Sequence, residues 1–349
     1  RIVKYFPIMI GLIAGFLFGI ATPISKLALA YLNSFQLAGL LYLGSSFFFL
    51  PYFLKNGNRD LSVIKKKPNR VLVFGIVLFG GFLGPIFLMV GLKSANAMSV
   101  SIWLNVELIA TALIGFFFFK EHLGKFAVLG ILFTLTSSII ISSQENISGL
   151  LSGMFVTAAC LCWAVDNHLT AIIDGVTPQS TTFIKGAAGG TTNLAIGLFL
   201  SGGKIGFEYI FFAVLLGMFS YGVSIFLYIL SAQSLGATRS QILFSTSPFW
   251  GIALAWFLLD EPINPILILA LSFLVAGIVC SNLSSHSHRH THQAITHIHL
   301  HRHDDGHHDH SHTGYDKSKN HIHIHTHAKI EHSHDHYPDL HHRHDHKRD

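Results

Sequence analysis

The chain has 349 residues, of which 50% are hydrophobic and only 12% charged, with a net charge of +5; a soluble domain carries about 25% charged residues, so this composition argues against one. The averages conceal two different polymers. Residues 1–283 are apolar almost throughout and hold 15 Lys+Arg against 9 Asp+Glu, whereas residues 284–349 hold 23 of the 25 histidines with 8 basic against 9 acidic residues. Neither part clusters Lys and Arg as a nucleic-acid footprint would, and three cysteines in apolar segments argue against a disulfide framework.

A helix needs about 20 mostly apolar residues to cross a bilayer. Ten segments qualify: 7–28, 36–54, 71–92, 98–119, 125–143, 151–172, 181–200, 208–230, 239–258 and 265–283. In lipid each must satisfy its own backbone, so they are read as helices. The first follows Arg1 and Lys4 and ends in Ala28-Leu29-Ala30, which superficially fits a signal-peptide cleavage site. Its length, its Thr22-Pro23 interruption and its counterpart at 151–172 favour a retained helix. The connection 55–70 carries Lys55, Arg59, Lys65, Lys66, Lys67 and Arg70 against Asp60. The positive-inside rule makes it cytoplasmic, and counting spans outward places both termini there.

The fourth and fifth spans are joined by Lys120-Glu121-His122. About 140 residues later the ninth and tenth are joined by Asp260-Glu261-Pro262. Without a gap, Glu121 falls on Glu261, Phe117 on Phe257, Leu129 on Leu269 and Phe133 on Phe273. This predicts an internal duplication, 7–143 and 149–283. Five spans per copy invert the second relative to the first, an arrangement many secondary transporters use for alternating access.

Ionisable groups at bilayer depth are costly and mark a pathway or a partner. Glu107 lies mid-span beside Asn105 and Trp103, and Asp166 lies inside the sixth span beside Asn167 and His168. A carboxylate that is alternately wet and dry can load and release a proton, so both are candidates for coupling; the plainer reading is a hydrogen-bonded acid pinning two helices. Lys26, Lys185 and Arg239 sit near span ends and are expected to snorkel to the interface. Thr22-Pro23, Gly80-Gly81, Gly84-Pro85, Gly222 and Pro248 should interrupt their helices, and interrupted helices are where carriers place substrate contacts. Gly11-x-x-x-Gly15 and Gly186-x-x-x-Gly190 predict close helix packing. Cys160 and Cys162, two apart on a helix, point in different directions and read as small packing residues. No phosphate loop, nucleophile elbow or helical HExxH is present, so no enzyme is expected.

With two five-helix halves, each closing on a Glu turn, the chain resembles the EamA branch of the drug/metabolite transporter superfamily. FGIATPISKL (18–27), CWAVDNHLT (162–170), FIKGAAGGTTNLAIGL (183–198), YGVSIFLYIL (221–230) and LGATRSQILFSTSPFWGIALAWFLLDEP (235–262) are similar to one histidine-tailed bacterial group in it. The resemblance covers about residues 7–283. It implies an all-α integral membrane protein of ten helices in the bacterial inner membrane, moving small metabolites, often outward. It would act as a monomer or homodimer and require no cofactor. The family pattern has a proline before the last stretch of helices four and nine; Pro248 keeps it, and Leu108 replaces it.

The tail reads HSHRHTH, HIHLHRH, HHDHSH, HIHIHTH and HSHDH. Such a composition builds no core and is expected to be disordered. At neutral pH most imidazoles offer a lone pair, and histidines near Asp suit zinc, nickel, cobalt or copper. The collective ligands would be His297, His299, His301, His303, His307, His308, His310, His321, His323, His325 and His327. Three readings follow: a metabolite carrier with a metal-buffering tail, a divalent-metal exporter fed by that tail past Glu107, Asp166 and His168, and a membrane-tethered metal store.

Overall fold

The computed structural model describes residues 2–119, 124–173, 175–235 and 237–282, and the backbone of four strands in the tail. Ten helical passes follow in the expected order: α1 (Ile2–Gly19, resuming as Ala21–Ala28), α2 (Ser34–Ile64), α3 (Lys67–Gly75, Ile76–Leu83, Gly84–Ser94), α4 (Ala97–Trp103, Val106–Phe119), α5 (Lys125–Ser142), α6 (Ile147–Ile172), α7 (Pro178–Leu200), α8 (Phe207–Leu216, Gly217–Val223, Ser224–Leu235), α9 (Ala237–Phe244, Ser247–Leu259) and α10 (Pro265–Asn282). Eight of these are long and apolar enough to cross a membrane, with Pro265–Cys280 a shorter apolar helix. α7 is long but more polar, because its inner face carries Thr181, Thr182, Lys185 and Asn193, all buried. Large apolar side chains, among them Phe117, Phe118, Phe199, Trp256 and Phe257, point outward. A polar interior with an apolar exterior suits a lipid surround.

The connection 55–70 is not a loop. α2 continues to Ile64 and α3 starts at Lys67. The extension is held by Asp60, buried, which accepts from Thr177 Oγ1 at 2.5 Å at the start of α7. A charge there can fold inward once it finds a donor, which charge counting does not reveal.

Helix contacts come in pairs that exchange when one half is swapped for the other: α3 with α6 and α8 with α1, α4 with α6 and α9 with α1, α7 with α3 and α2 with α8. α2 packs on α7, and α5 on α10. Along this last contact Phe133 meets Phe273, the residue it matches in sequence, with ring centroids 5.9 Å apart. Ser137 Oγ donates to Ala270 O at 2.7 Å, while a Cβ added to Gly277 would lie 3.0 Å from Gly130 O, the reciprocal contact at the same 140-residue offset. Reciprocity of this kind marks a pseudo-two-fold axis.

The interruptions are also paired. α4 breaks at Leu104-Asn105 and α9 at Ser245-Thr246. α4 therefore breaks even though Leu108 stands where the family pattern has a proline. α3 and α8 each contain a π-helical stretch, Ile76–Leu83 and Gly217–Val223, again about 140 residues apart. In α3 the wider turn is stitched to the other half by Trp163 Nε1 donating to Gly80 O at 3.4 Å and Asn193 Nδ2 to Phe82 O at 3.2 Å. Such stretches recur inside helices at functional sites. α1 breaks at Ile20, three residues before Pro23, which offers no N–H to the preceding turn.

In the tail four strands are described: β1 (His286–His292), β2 (Ile295–His301), β3 (His321–His327) and β4 (Ile330–His336), paired antiparallel as β1 with β4 and β2 with β3. The alternating H-x-H-x-H pattern has the two-residue period of a strand. In both pairs histidine backbones stand opposite one another, as at His297 and His325, His299 and His323, and His301 and His321. His303, His307, His308 and His310 lie outside the described residues.

Candidate functional site

Tryptophan, acid, amide and hydroxyl recur on α6 as Trp163, Asp166, Asn167 and Thr170, spaced i, i+3, i+4, i+7. That spacing puts all four on one helical face. The face lines a central cavity of about 40 Å³ together with Phe18 of α1, Tyr42 of α2, Glu107 of α4, Lys185 of α7, three residues of α8 and Phe244 of α9. Both halves contribute to the walls. A volume of that size holds a few waters.

The charged centre is a pair. Lys185 Nζ lies 2.7 Å from Asp166 Oδ2, and both side chains are about 5% exposed, at 4% and 6%. Thr170 Oγ1 donates to the other oxygen of Asp166 at 3.2 Å. Lys185 is thus a buried partner rather than the snorkelling anchor its position near a span end suggested. α7 starts at Pro178, two turns earlier, so the ammonium is too deep to reach an interface and turns toward the acid. Close packing makes room for the pair: a Cβ on Gly80 would collide with the Asp166 carboxylate, and one on Gly81 would lie 2.6 Å from Lys185 O.

Glu107 occupies the first turn of the second half of α4, just after the break. Its Oε1 accepts from Asn167 Nδ2 at 2.7 Å, and the same amide reaches Thr111 Oγ1 at 3.4 Å and Gln241 Oε1 at 3.3 Å. Around the polar core stand aromatic rings in edge contact, Phe18 with Trp163 at 5.7 Å and Tyr228 with Phe244 at 5.3 Å.

Of the residues expected at the pathway, the structure brings together Glu107, Asp166 and Asn167. The others lie elsewhere. Trp103 donates through Nε1 to Ser142 Oγ at 3.0 Å and Ser138 O at 3.3 Å, fixing α4 to α5. Asn105 is buried at the break in α4, with neither side-chain atom hydrogen-bonded. Pro248 is buried near the start of the second half of α9. His168 places its Nδ1 2.9 Å from Ala164 O on its own helix. Among the described residues no three His, Cys, Asp or Glu come together as a metal site. Lys185, Tyr42, Tyr228 and Phe244 were not anticipated. For Lys185 the signal was its depth in the span, and for α6 the 163-166-167-170 spacing.

The Glu turns differ in what can be seen. Glu261 accepts from the backbone N–H groups of Ala97 and Met98 at 2.7 and 2.8 Å, closing the start of α4 from the opposite half. Glu121 lies outside the described residues. Nearby, Lys26 Nζ donates to Leu92 O, Lys93 O and Ala95 O at 2.8, 3.0 and 2.8 Å. It caps the C-terminal end of α3, where a cation is favoured.

The EamA-like transporter family model matches residues 5–143 and again 150–283. The chain is 25% identical over 267 residues to an uncharacterized transporter of Methanothermobacter thermautotrophicus, covering 71% of this chain and 77% of the relative. It is 23% identical over 241 residues to the uncharacterized transporter YyaM of Bacillus subtilis, covering 63% of this chain and 75% of the relative. A solved crystal structure shares the fold with a TM-score of 0.63 at 17% identity, over 79% of this chain and 97% of that one. Two family matches in tandem, on an all-helical fold whose halves exchange contacts in pairs, make this chain a member of the EamA-like transporter family, a multi-pass membrane protein and not an enzyme.

Proposed function

We propose that the chain is a secondary transporter that moves a small solute by alternating access, with the cavity between the repeats as its binding site. The observation that carries this reading is the buried Asp166–Lys185 pair beside Glu107, in a cavity walled by both halves. A membrane scaffold gains little from such charges, since an apolar replacement is often at least as stable as a buried pair. A carrier needs polar groups at the interface its two halves rock about. Paired breaks in α4 and α9 and paired π-helical stretches in α3 and α8 supply deformable backbone beside that interface.

In the same reading both termini face the cytoplasm, net movement is outward, and Glu107 and Asp166 exchange protons in the cycle. The tail serves as a metal buffer or regulator. The test is flux of a metabolite panel into proteoliposomes holding the full chain, Glu107→Gln or Asp166→Asn. Solute flux by the wild type, with altered rate or pH dependence in the variants, supports the carrier and its coupling. Unchanged rate and pH dependence in both variants removes the coupling, and no flux of any solute removes the carrier.

A further inference from the structure

We propose that the solute this cavity takes is an organic cation, an amine or quaternary ammonium on a compact aromatic or apolar body. The proposal rests on the carrier reading above and names its substrate class. The charge inventory carries it. The cavity holds two carboxylates and one ammonium, and the ammonium is already bound to Asp166 at 2.7 Å. Among the described residues Glu107 accepts from the neutral amide of Asn167 at 2.7 Å, and no cationic side chain ion-pairs with it. A buried carboxylate without a cation is incompletely stabilised, and an entering ammonium supplies what is missing.

The walls agree with the charge. Phe18, Tyr42, Trp163, Tyr228 and Phe244 ring the site. The faces of such rings attract cations, most strongly where water is excluded, while their apolar area accepts the rest of the molecule. The same inventory disfavours the alternatives. An anion would meet two carboxylates, with Lys185 already committed to one of them. A neutral polyhydroxyl solute would need free donors and acceptors. The Asn167 amide is spent on Glu107, and the Thr170 hydroxyl on Asp166.

The test is titration calorimetry on the purified full chain with three probes of nearly one shape: phenethylammonium, 2-phenylethanol and phenylacetate. The amine is expected to bind at least about tenfold more tightly than the alcohol, with the acid weakest. Glu107→Gln, which keeps a hydrogen bond to Asn167, is expected to bring the amine down to the alcohol. Phe244→Leu should weaken the amine more than the alcohol, which separates loss of the ring face from loss of fold. Alcohol or acid binding as tightly as amine, an unchanged preference in Glu107→Gln, or no binding of any probe overturns the cation assignment. If the proteoliposomes still carry another solute in that event, the carrier reading stands without it.

Discussion

Removing the ammonium of Lys185 while leaving Asp166 in place strands a carboxylate in an apolar interior. Breaking a buried pair from one side costs about 3–5 kcal/mol, whereas removing both charges is far milder. Lys185→Met is therefore expected to lower the apparent melting temperature of the detergent-purified protein sharply, and Lys185→Met with Asp166→Leu to recover most of the loss. A double variant no more stable than the single one would show that the pair is not a unit. The contrast between Lys185 and Lys26 shows what residue-level reading reaches. Both are lone lysines near span ends, and both read as snorkelling anchors. One finds an acid 19 positions earlier in the chain and the other finds three carbonyls of a neighbouring helix, partners that only packing brings near. Glu107 and Asp166, by contrast, were legible because an acid at mid-span has no interface within reach.

At the scale of elements, small residues decide how closely helices approach. A Cβ at Gly189 of α7 would run into the backbone of Gly81 in the π-helical stretch of α3, whereas one at Gly124 meets nothing within 4 Å. Gly189→Ala is expected to cost about 1–3 kcal/mol, read as reduced folded yield and a lower melting temperature. Gly124→Ala, at the N-cap of α5, is expected to cost less, about 0.5–1 kcal/mol, because alanine caps more poorly than glycine. Equal behaviour of the two would refute the close approach. Glu261 acts between elements as well: its carboxylate accepts two N–H groups at the start of α4, and charge-assisted bonds of this kind are worth about 1.5–3 kcal/mol before discounting for solvent at a half-buried site. Glu261→Ala is expected to destabilise and Glu261→Gln to do so less, by thermal unfolding. The glycine and proline interruptions were readable one by one in α1, α3, α8 and α9. The break in α4 was not, because no proline marks it and the π-helical register follows from packing against α6 and α7.

For the whole molecule, the pseudo-two-fold axis links the 140-residue period of the sequence to the cavity at its centre. The transport reading places function in residues 2–282 and leaves the tail accessory. A chain ending at residue 283 is therefore expected to keep the solute flux of the full protein in proteoliposomes, and the zinc binding proposed for the tail is expected in the full chain and not in the shortened one, by equilibrium dialysis. Loss of flux on truncation would make the tail part of the carrier, and retained zinc binding would move the metal site out of it.

The sequence by itself determined the all-helical membrane class, the order of the helices, the duplication and two of the three charged groups at the centre. These follow from hydropathy, period and the cost of burying charge, all local to the chain. Only the tertiary structure decided that Lys185 pairs with Asp166, that Glu107 accepts from the neutral amide of Asn167, and that aromatic rings from five helices line the same cavity. The physical reason is that each of these depends on which helical faces meet. Residues 19 positions apart, as Asp166 and Lys185, or 60, as Glu107 and Asn167, then become neighbours, and no local pattern encodes the distance between them.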